Sequence, residues 1–378
     1  MTAPLFLYGT LRHGPLLDVV AGPGSETRQA AQAIGWRVLV MPGFDAPELF
    51  ELEGATTPGS LVWGLSGAQV ARLDAYELDF GYRRAEIMVE VAGADVRATA
   101  YLPTGPQTPD HHPWDYEDWE QRAARASVLA AEEFFAHSPH PSKDDVVRQW
   151  PMILMRAQAR LRAETSDPIS TVRHSPEPGD VSIRRREPIV GGFFKLDRLS
   201  VDHRRFDGTR ATDLPREVLV GADAALVLPY DPVRDRVLLV EQMRVGAARR
   251  GDRNPWSLEP VAGIVDGGET PADAAHREAV EEAGVTFSDL RHMFDIYPSP
   301  GSSTDHFYCY LGITDLPDDH QSSGGLESEN EDLRLHLMSL DDALALIDTG
   351  EANVGPLVAM LLWLNRARDR LEFANAGS

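Results

Sequence analysis

The feature that most limits what this chain can fold into is a glycine-rich turn that runs into an acidic helix between residues 263 and 285. The segment reads Gly-Ile-Val-Asp-Gly-Gly-Glu-Thr-Pro-Ala-Asp-Ala-Ala-His-Arg-Glu-Ala-Val-Glu-Glu-Ala-Gly-Val. Thr270 is a residue type that caps helices and Pro271 suits a first helical position, so a helix is predicted to begin there. Three acids follow at i, i+3 and i+4, on one predicted helical face: Glu278, Glu281 and Glu282.

Three like charges crowded on one face are unfavourable unless a cation neutralises them. Hard divalent cations do so, and Mg²⁺ is bound through a few carboxylates together with substrate phosphates. A solvated acidic helix face is the alternative interpretation. The fixed spacing of the three acids with Gly263, Glu269, Arg277 and Gly284 favours a metal site.

At every specified position the segment resembles the Nudix box: Gly, five residues, Glu, seven residues, then Arg-Glu-x-x-Glu-Glu-x-Gly-x. The resemblance implies that Glu278 and Glu282 bind Mg²⁺ or Mn²⁺, and that Glu281 shares a metal or activates water. It implies the carbonyl of Ala262 as a further ligand. The metals would polarise phosphate oxygens and lower the pKa of the bound water that attacks a diphosphate.

The other box positions imply structural roles. Arg277 and Glu269 would pair and hold the loop against the helix. Gly263 and Gly284 occupy the two glycine positions of the pattern.

The similarity continues over residues 179–371, where the chain resembles bacterial ADP-ribose pyrophosphatases. Five segments carry it: Gly192-Phe-Phe-Lys-Leu-Asp197, Glu241-Gln-Met-Arg-Val-Gly246, Trp256-Ser-Leu-Glu-Pro-Val-Ala-Gly263, Ser299-Pro-Gly-Ser-Ser-Thr-Asp305 and Glu327-Ser-Glu-Asn-Glu-Asp-Leu-Arg-Leu-His336. In that family the first segment is a strand often exchanged between the subunits of a dimer, so the resemblance implies a homodimer through the Nudix half.

The same resemblance implies the substrate-binding residues. Arg244 would contact the diphosphate, and Glu259 would lie on the metal side. Pro300 follows Gly284 by 16 residues, the spacing associated with ADP-ribose specificity. Two further residues are implied to bind substrate: Arg216 and Asp305, an aspartate where the family usually has glutamate.

The acidic segment that starts at Glu327 matches a mobile loop of the family. Glu329 is the predicted general base and Glu331 the second candidate, because a loop that closes over substrate excludes water and completes a site. The predicted reaction converts ADP-ribose and water to AMP and ribose 5-phosphate. A nucleotide-sugar pyrophosphatase of the GDP-mannose type, or a nucleotide-sensing scaffold with inactive domains, is the alternative.

The N-terminal part is predicted to form strands joined by turns up to residue 104, because β-branched and aromatic residues recur there. Helical sequence follows over Glu120–Phe135, and Pro151 suits the first turn of a further helix ending near Glu164. Three prolines and small polar residues predict a linker. The expected domains are therefore 1–165 and 179–378, joined by residues 166–178. In the second domain, strands are expected at 224–229, 236–242 and 306–311, and helices at 340–349 and 355–371.

Three N-terminal segments, taken in order, resemble the γ-glutamylcyclotransferase-like (AIG2-like) family: Leu5-Phe-Leu-Tyr-Gly-Thr-Leu-Arg12, Leu73-Asp-Ala-Tyr-Glu-Leu-Asp-Phe-Gly-Tyr-Arg-Arg84 and Ala98-Thr-Ala-Tyr-Leu-Pro103. The resemblance implies a small β-barrel with helices around it over residues 4–137. Glu77 would be its acid/base, with a pKa raised by desolvation in an apolar barrel mouth. The residues that would line the pocket are Tyr8, Gly9, Thr10, Leu11 and Tyr101. A non-catalytic binding module is the alternative.

The expected fold class is α+β, with a Nudix α/β/α sandwich after the barrel. The net charge of −23 argues against nucleic-acid binding. No membrane helix or signal peptide is expected, and the single cysteine, Cys309, suits a reducing cytoplasm. The expected ligands are a nucleoside diphosphate and a γ-glutamyl compound. Such fusions also resemble proteins associated with tellurite resistance, a phenotype that supplies no mechanism.

Overall fold

The computed structural model describes residues 3–24, 26–41, 46–105, 112–136, 143–165, 173–174, 177–190, 192–326 and 330–371. The chain divides into two compact units, residues 1–169 with 191–193 and residues 170–190 with 194–378. Most of the predicted linker lies outside the described residues, and the domain boundaries stay a prediction. Within the described ranges, no helix has both the length and the apolar character needed to cross a membrane.

The first unit contains a closed five-stranded barrel with the strand order β1-β3-β2-β4-β5. Its strands are β1 (Leu5–Leu7), β2 (Thr27–Val40), β3 (Pro47–Trp63), β4 (Tyr82–Val91) and β5 (Ala94–Pro103). Closure comes from the parallel pair of Leu5 with Thr99. Phe6 points into the barrel core while Leu5 and Leu7 pack under the helices, so β1 is buried on both faces. Strands are thus present up to residue 103, as expected from the sequence.

Among its described residues, this unit contains five α-helices: α1 (Gly14–Ala21), α2 (Gly67–Glu77), α3 (Tyr116–Arg122), α4 (Ala124–Ala136) and α5 (Lys143–Thr165). Two sequence predictions were wrong. The helix expected over Glu120–Phe135 is two helices, because Ala123 leaves the helical conformation with φ −127° and ψ −16°. Pro151 lies inside α5 rather than in its first turn. Burial of Met152, Ile153 and Ala157 holds the helix together across the missing backbone donor.

The second unit begins with a three-stranded antiparallel sheet of β6 (Val181–Val190), β7 (Lys195–Arg204) and β8 (Arg210–Val220). A mixed eight-stranded sheet follows, with the order β13-β14-β9-β10-β16-β15, in which β11 pairs with β10 and β12 with β9. Its strands are β9 (Asp223–Asp231), β10 (Arg236–Met243), β11 (Trp256–Glu259), β12 (Val261–Ile264), β13 (Asp289–Ile296), β14 (His306–Ile313), β15 (Ser323–Gly324) and β16 (Leu333–Ser339).

Helices cover both faces of this sheet. Their bounds are α6 (Val245–Arg250), α7 (Pro271–Ala283), α8 (Leu340–Thr349) and α9 (Gly355–Ala367). The alanines of α7 pack on one face against Val227 and Val261. The other face packs against leucines of α8 and α9, with Cys309 fully buried among them. The predicted α/β/α sandwich is confirmed, and so is the α+β class with its N-terminal barrel.

Candidate active sites

Helix α7 begins and ends where its sequence dictates. Thr270 is the N-cap, with its side chain accepting a hydrogen bond from the Asp273 N–H and Pro271 as first helical residue. The helix ends at Gly284, whose φ of 64° is left-handed and therefore favours glycine. Its N–H donates to the Val280 carbonyl at 3.1 Å. Local capping chemistry thus places the three acids of the helix.

Arg277 organises the acids around it. Its guanidinium donates to Glu269 Oε1 at 2.8 Å, to Glu278 Oε1 at 2.6 Å and to Glu281 Oε2 at 3.0 Å. It also donates to the Ile264 carbonyl at 3.1 Å. The bonds to Glu269, then those to Glu278 and Glu281, raise the pKa of Arg277 above its usual value. One arginine therefore joins the glycine-rich loop to the helix, as predicted, and partly neutralises two acids.

Glu282 is the most enclosed acid of the helix, at 2% exposure. Its Oε2 accepts a hydrogen bond of 3.1 Å from the Ala262 N–H of β12. Burial, with smaller contributions from the charges of Glu278 and Glu331, raises the pKa of Glu282 to about 8. The carboxyl therefore sits in an acidic environment that a dication would relieve.

Glu278 reaches β12 because residue 263 is glycine. A Cβ atom at Gly263 would lie 1.7 Å from Glu278 Oε1, far inside any allowed contact. Burial raises the pKa of Glu278 above its usual value. The close approach of strand and helix places the Glu278 carboxylate beside the chain that carries the Ala262 carbonyl.

Arg244 follows β10 and is held by an acid of β11. Its Nε lies 2.9 Å from each carboxylate oxygen of Glu259, and a second guanidinium nitrogen bonds Oε2. Gln242 also donates to Glu259 Oε2, at 3.3 Å. Glu259 is buried while the Arg244 side chain is 44% exposed. Glu259 therefore orients a cation that an anionic ligand can reach.

The Ser-Pro-Gly segment packs on the end of β8. The Leu219 N–H donates to the Ser302 carbonyl at 2.9 Å, and Asp305 fills the space that Gly221 leaves free. Pro300 is exposed. Arg216 lies on the same strand, exposed, and donates to the Pro215 carbonyl at 2.8 Å. Within the described part of the chain, neither Arg216 nor Pro300 bonds to the acids of α7, so their substrate roles stay predictions.

Of the two predicted bases, Glu331 is among the described residues and Glu329 is not. Glu331 accepts a hydrogen bond from the Leu326 N–H at 3.2 Å. Its charge acts on the pKa of Glu282, so it lies near the acids of the helix.

A second group of residues surrounds Glu77 in the barrel unit. Glu77 is the last residue of α2, and burial raises the pKa of its carboxyl to about 8. Four tyrosines lie near Glu77: Tyr8, Tyr76, Tyr82 and Tyr101. Burial raises the pKa of each of them, and the nearby charge of Glu77 adds to that increase. A carboxyl that stays neutral into the mildly alkaline range is poised to exchange protons.

The turn after β1 is fixed beside this carboxyl. The Tyr8 hydroxyl donates to the Tyr101 carbonyl at 2.5 Å. A Cβ at Gly9 would lie 2.3 Å from Pro47 Cγ, so the backbone approaches β3 closely there. Thr10 opens a 3₁₀ turn that ends at Arg12 and buries Leu11. The four predicted turn residues and Tyr101 thus meet in one region.

Comparison with known proteins matches each unit separately. A model described as γ-glutamyl cyclotransferase, AIG2-like, matches residues 5–121, and a NUDIX domain model matches residues 221–360. An ADP-ribose pyrophosphatase of Haemophilus influenzae is 36% identical over 200 residues, which span 52% of this chain and 90% of that protein. The chain belongs to the Nudix family.

Two more relatives align with the same Nudix half. An ADP-ribose pyrophosphatase of Escherichia coli strain K12 is 38% identical over 187 residues, 49% of this chain and 88% of that protein. A GDP-mannose pyrophosphatase of Escherichia coli O139:H28 is 31% identical over 186 residues, 49% of this chain and 94% of that protein. Both alignments leave the barrel unit unmatched.

The Nudix box of this chain fits a hard divalent cation. Its donors are the oxygens of Glu278, Glu281 and Glu282 with the Ala262 carbonyl, the ligand type that Mg²⁺ and Mn²⁺ take. In the described residues, no three or more His, Cys, Asp or Glu side chains converge as a ready metal site. Arg277 instead occupies two of the carboxylates. The donor set fits the ion, and Glu278 and Glu281 each keep one oxygen that accepts no hydrogen bond from Arg277.

Sequence reasoning missed several residues of both regions. Gln242 supports Glu259, and Asp74 accepts hydrogen bonds from Arg84 and Tyr101. Gln242 precedes Arg244 by two residues, a spacing that places both on one face of a strand. No feature of the sequence around Asp74 predicts its contact with β4 and β5, which follow it in the chain.

Proposed function

We propose that this protein is a metal-dependent pyrophosphohydrolase that hydrolyses ADP-ribose to AMP and ribose 5-phosphate. The observation that carries the proposal is the buried Glu282 beside Glu278, in an acidic region that also holds the accessible Arg244. A site for cations next to an arginine suits a diphosphate. The Nudix relatives named ADP-ribose pyrophosphatase are more similar to this chain than the one named GDP-mannose pyrophosphatase.

Each residue of this site has its own role in the proposed reaction. Glu278, Glu282 and the Ala262 carbonyl would hold Mg²⁺ or Mn²⁺, and Glu281 would share the ion or orient water. A bound dication polarises phosphate oxygens and makes water acidic enough to react near neutral pH. Arg244 binds the diphosphate. A water oxygen attacks one phosphorus, the bridging P–O bond breaks, and Glu329 or Glu331 takes the water proton.

A panel of nucleoside diphosphate derivatives tests this function. The full chain is assayed with ADP-ribose, GDP-mannose and NADH in the presence of Mg²⁺ or Mn²⁺, and AMP or GMP release is measured. We expect ADP-ribose to have the highest kcat/KM. Turnover of ADP-ribose no faster than that of GDP-mannose or NADH contradicts the assignment, and no turnover of any substrate favours a nucleotide-sensing scaffold.

The base is assigned by two variants. Glu329→Gln is expected to lower kcat about 100-fold or more, because general-base catalysis contributes that much. Glu331→Gln is the matched substitution two residues away. A larger loss in Glu331→Gln than in Glu329→Gln transfers the role to Glu331.

We propose a second activity, γ-glutamyl cyclotransfer, for the barrel unit. The observation that favours it is Glu77, whose pKa is raised to about 8 by burial beside the Tyr8 turn. The carboxylate removes a proton from the α-amine of a γ-glutamyl compound as that nitrogen attacks the γ-carbonyl carbon. The γ-amide C–N bond then breaks, Glu77 returns the proton to the departing amine, and 5-oxoproline leaves. No metal takes part.

Release of 5-oxoproline from γ-glutamyl amides and peptides tests this activity. Glu77→Gln keeps the size of the side chain and removes its basicity, so release is expected to fall to background. No release by the unmodified chain from any γ-glutamyl compound favours the alternative, a non-catalytic binding module.

We further propose a homodimer formed through the Nudix unit and a cytoplasmic location. Sedimentation equilibrium should then give twice the mass of one chain, and cell fractionation should recover the protein with the cytosol.

Tellurite tolerance of a strain that lacks the gene, compared with one that carries Glu282→Gln, tests whether hydrolysis underlies the tellurite resistance associated with similar fusion proteins.

A further inference from the structure

One carboxylate in the barrel unit joins a helix to two strands. Asp74 lies on α2, one helical turn before Glu77. The Tyr101 hydroxyl donates to Asp74 Oδ1 at 2.9 Å, and Arg84 Nε donates to the same oxygen at 2.6 Å. A second guanidinium nitrogen of Arg84 bonds Oδ2. Arg84 on β4 and Tyr101 on β5 stand directly opposite each other in the antiparallel ladder.

The contact continues to the turn after β1. The Tyr101 carbonyl accepts the Tyr8 hydroxyl at 2.5 Å, while the Tyr101 hydroxyl is bound by Asp74. Tyr101 therefore connects the helix that carries Glu77 with the residue that opens the Tyr8-Gly-Thr-Leu turn. Tyr101 is 4% exposed, so this connection runs through the interior.

The position of Glu77 depends on such a connection. Residues three apart in a helix share a face, so Asp74 and Glu77 both turn toward the barrel. Glu77 is also the last residue of α2, where helix ends fray unless tertiary contacts hold them. A two-point arginine–carboxylate pair fixes orientation as well as distance.

We propose that Asp74 is a positioning residue: through Arg84 and Tyr101 it holds the end of α2 so that Glu77 faces the Tyr8–Leu11 turn. This inference rests on the proposed cyclotransfer activity. Asp74 is not itself the base, because Arg84 and Tyr101 occupy both of its oxygens. Its contribution is geometric, and displacement of a reacting group by about 1 Å costs on the order of 100-fold in rate.

Two variants of the full chain remove the contact from opposite sides. Asp74→Asn keeps an acceptor for Tyr101 and removes the charge that Arg84 binds. Arg84→Gln removes the guanidinium that binds Asp74 and leaves the pocket residues intact. The Arg84 side chain is 46% exposed, so this change is made on the solvent side of the contact. Glu86→Gln is the control, since it breaks the exposed pair of Glu86 with Arg97 on the same two strands.

We expect kcat for 5-oxoproline release to fall about 10- to 100-fold in Asp74→Asn and less in Arg84→Gln, with KM within threefold of the unmodified chain. Glu86→Gln should match the unmodified chain. Unchanged kcat in both test variants, or a loss that appears as raised KM with kcat intact, overturns the proposal.

Hydrogen exchange of the same proteins provides a readout that does not need turnover. Amides of residues 73–80 and 5–12 should exchange faster in Asp74→Asn and Arg84→Gln, and no faster in Glu86→Gln. If the unmodified chain releases no 5-oxoproline, the cyclotransfer activity fails, and faster exchange confined to these segments still supports the positioning role. Unchanged exchange in both test variants overturns it.

Discussion

At the residue scale, Glu282 and Glu77 are two buried carboxyls for which we propose different uses. Both have a pKa of about 8 because burial penalises the charged form. Glu282 lies among other acids, where a dication relieves the repulsion. Glu77 lies among tyrosines, where no second charge is needed and a proton can be taken up and released. Under the two proposed functions, the same perturbation would prepare one group for a metal and the other for proton transfer.

Replacement of Glu282 by glutamine tests the first use. A neutral amide cannot balance a dication, so AMP release from ADP-ribose is expected to fall about 100-fold or more, since even outer-shell changes at metal sites cost 10- to 100-fold. The apparent affinity for Mn²⁺, measured by electron paramagnetic resonance, should fall with it. Glu351→Gln, at an exposed acid outside the box, should leave both unchanged.

Replacement of Glu77 by glutamine tests the second use through stability. An unfolded glutamate has a pKa of about 4.3, whereas burial raises the pKa of folded Glu77 to about 8. Between these values the folded state keeps a proton that the unfolded state releases, so stability falls as pH rises through this window. The Tm of Glu77→Gln minus the Tm of the unmodified chain should therefore be larger at pH 9 than at pH 5.

The matched control for this measurement is Glu86→Gln, an exposed acid on the same barrel. Its Tm difference from the unmodified chain should be the same at both pH values. A Glu77→Gln difference that also stays constant from pH 5 to pH 9 would contradict a buried, neutral Glu77.

At the element scale, the packing of α7 on β12 is set by one missing side chain. Gly263→Ala places a methyl group 1.7 Å from Glu278 Oε1, so the Glu278 side chain must leave β12 or helix and strand must separate. We expect a loss of about 1–3 kcal/mol in the free energy of unfolding, the usual cost of overpacking, measured by urea titration. Gly355→Ala, where a Cβ meets open space, serves as the control. Equal stability of the two variants would be inconsistent with this packing.

For some elements, the local sequence is enough to predict where a helix begins and ends. Thr270, Pro271 and Gly284 set the limits of α7, because a cap is formed by residues within one turn of it. The limits of α5 could not be found in this way. Pro151 carries a strong local preference for a helix start, but burial of the residues after it, among them Ile153 and Ala157, outweighs that preference.

At the scale of the whole molecule, the two proposed activities should separate by their need for metal. Each set of site residues lies within one unit, and we propose a cation only for the Nudix set. Dialysis against EDTA should abolish AMP release and leave 5-oxoproline release within twofold. Mg²⁺ or Mn²⁺ should restore AMP release. Loss of both activities on chelation would show that the barrel chemistry also depends on metal.

The sequence by itself determined the residue types and placed the acids of the box on one helical face, which follows from their spacing along one element. The pairing of Arg277 with Glu269, the turn at Tyr8 and the two architectures were implied by resemblance to two families. Only the tertiary structure decided that Arg244 is held by Glu259 and that Asp74 binds Arg84 and Tyr101. It also decided that Glu282 is buried enough to raise its pKa, whereas the family resemblance had already implied a raised pKa for Glu77. Desolvation and cross-strand contacts depend on residues distant in the chain, which no local pattern specifies.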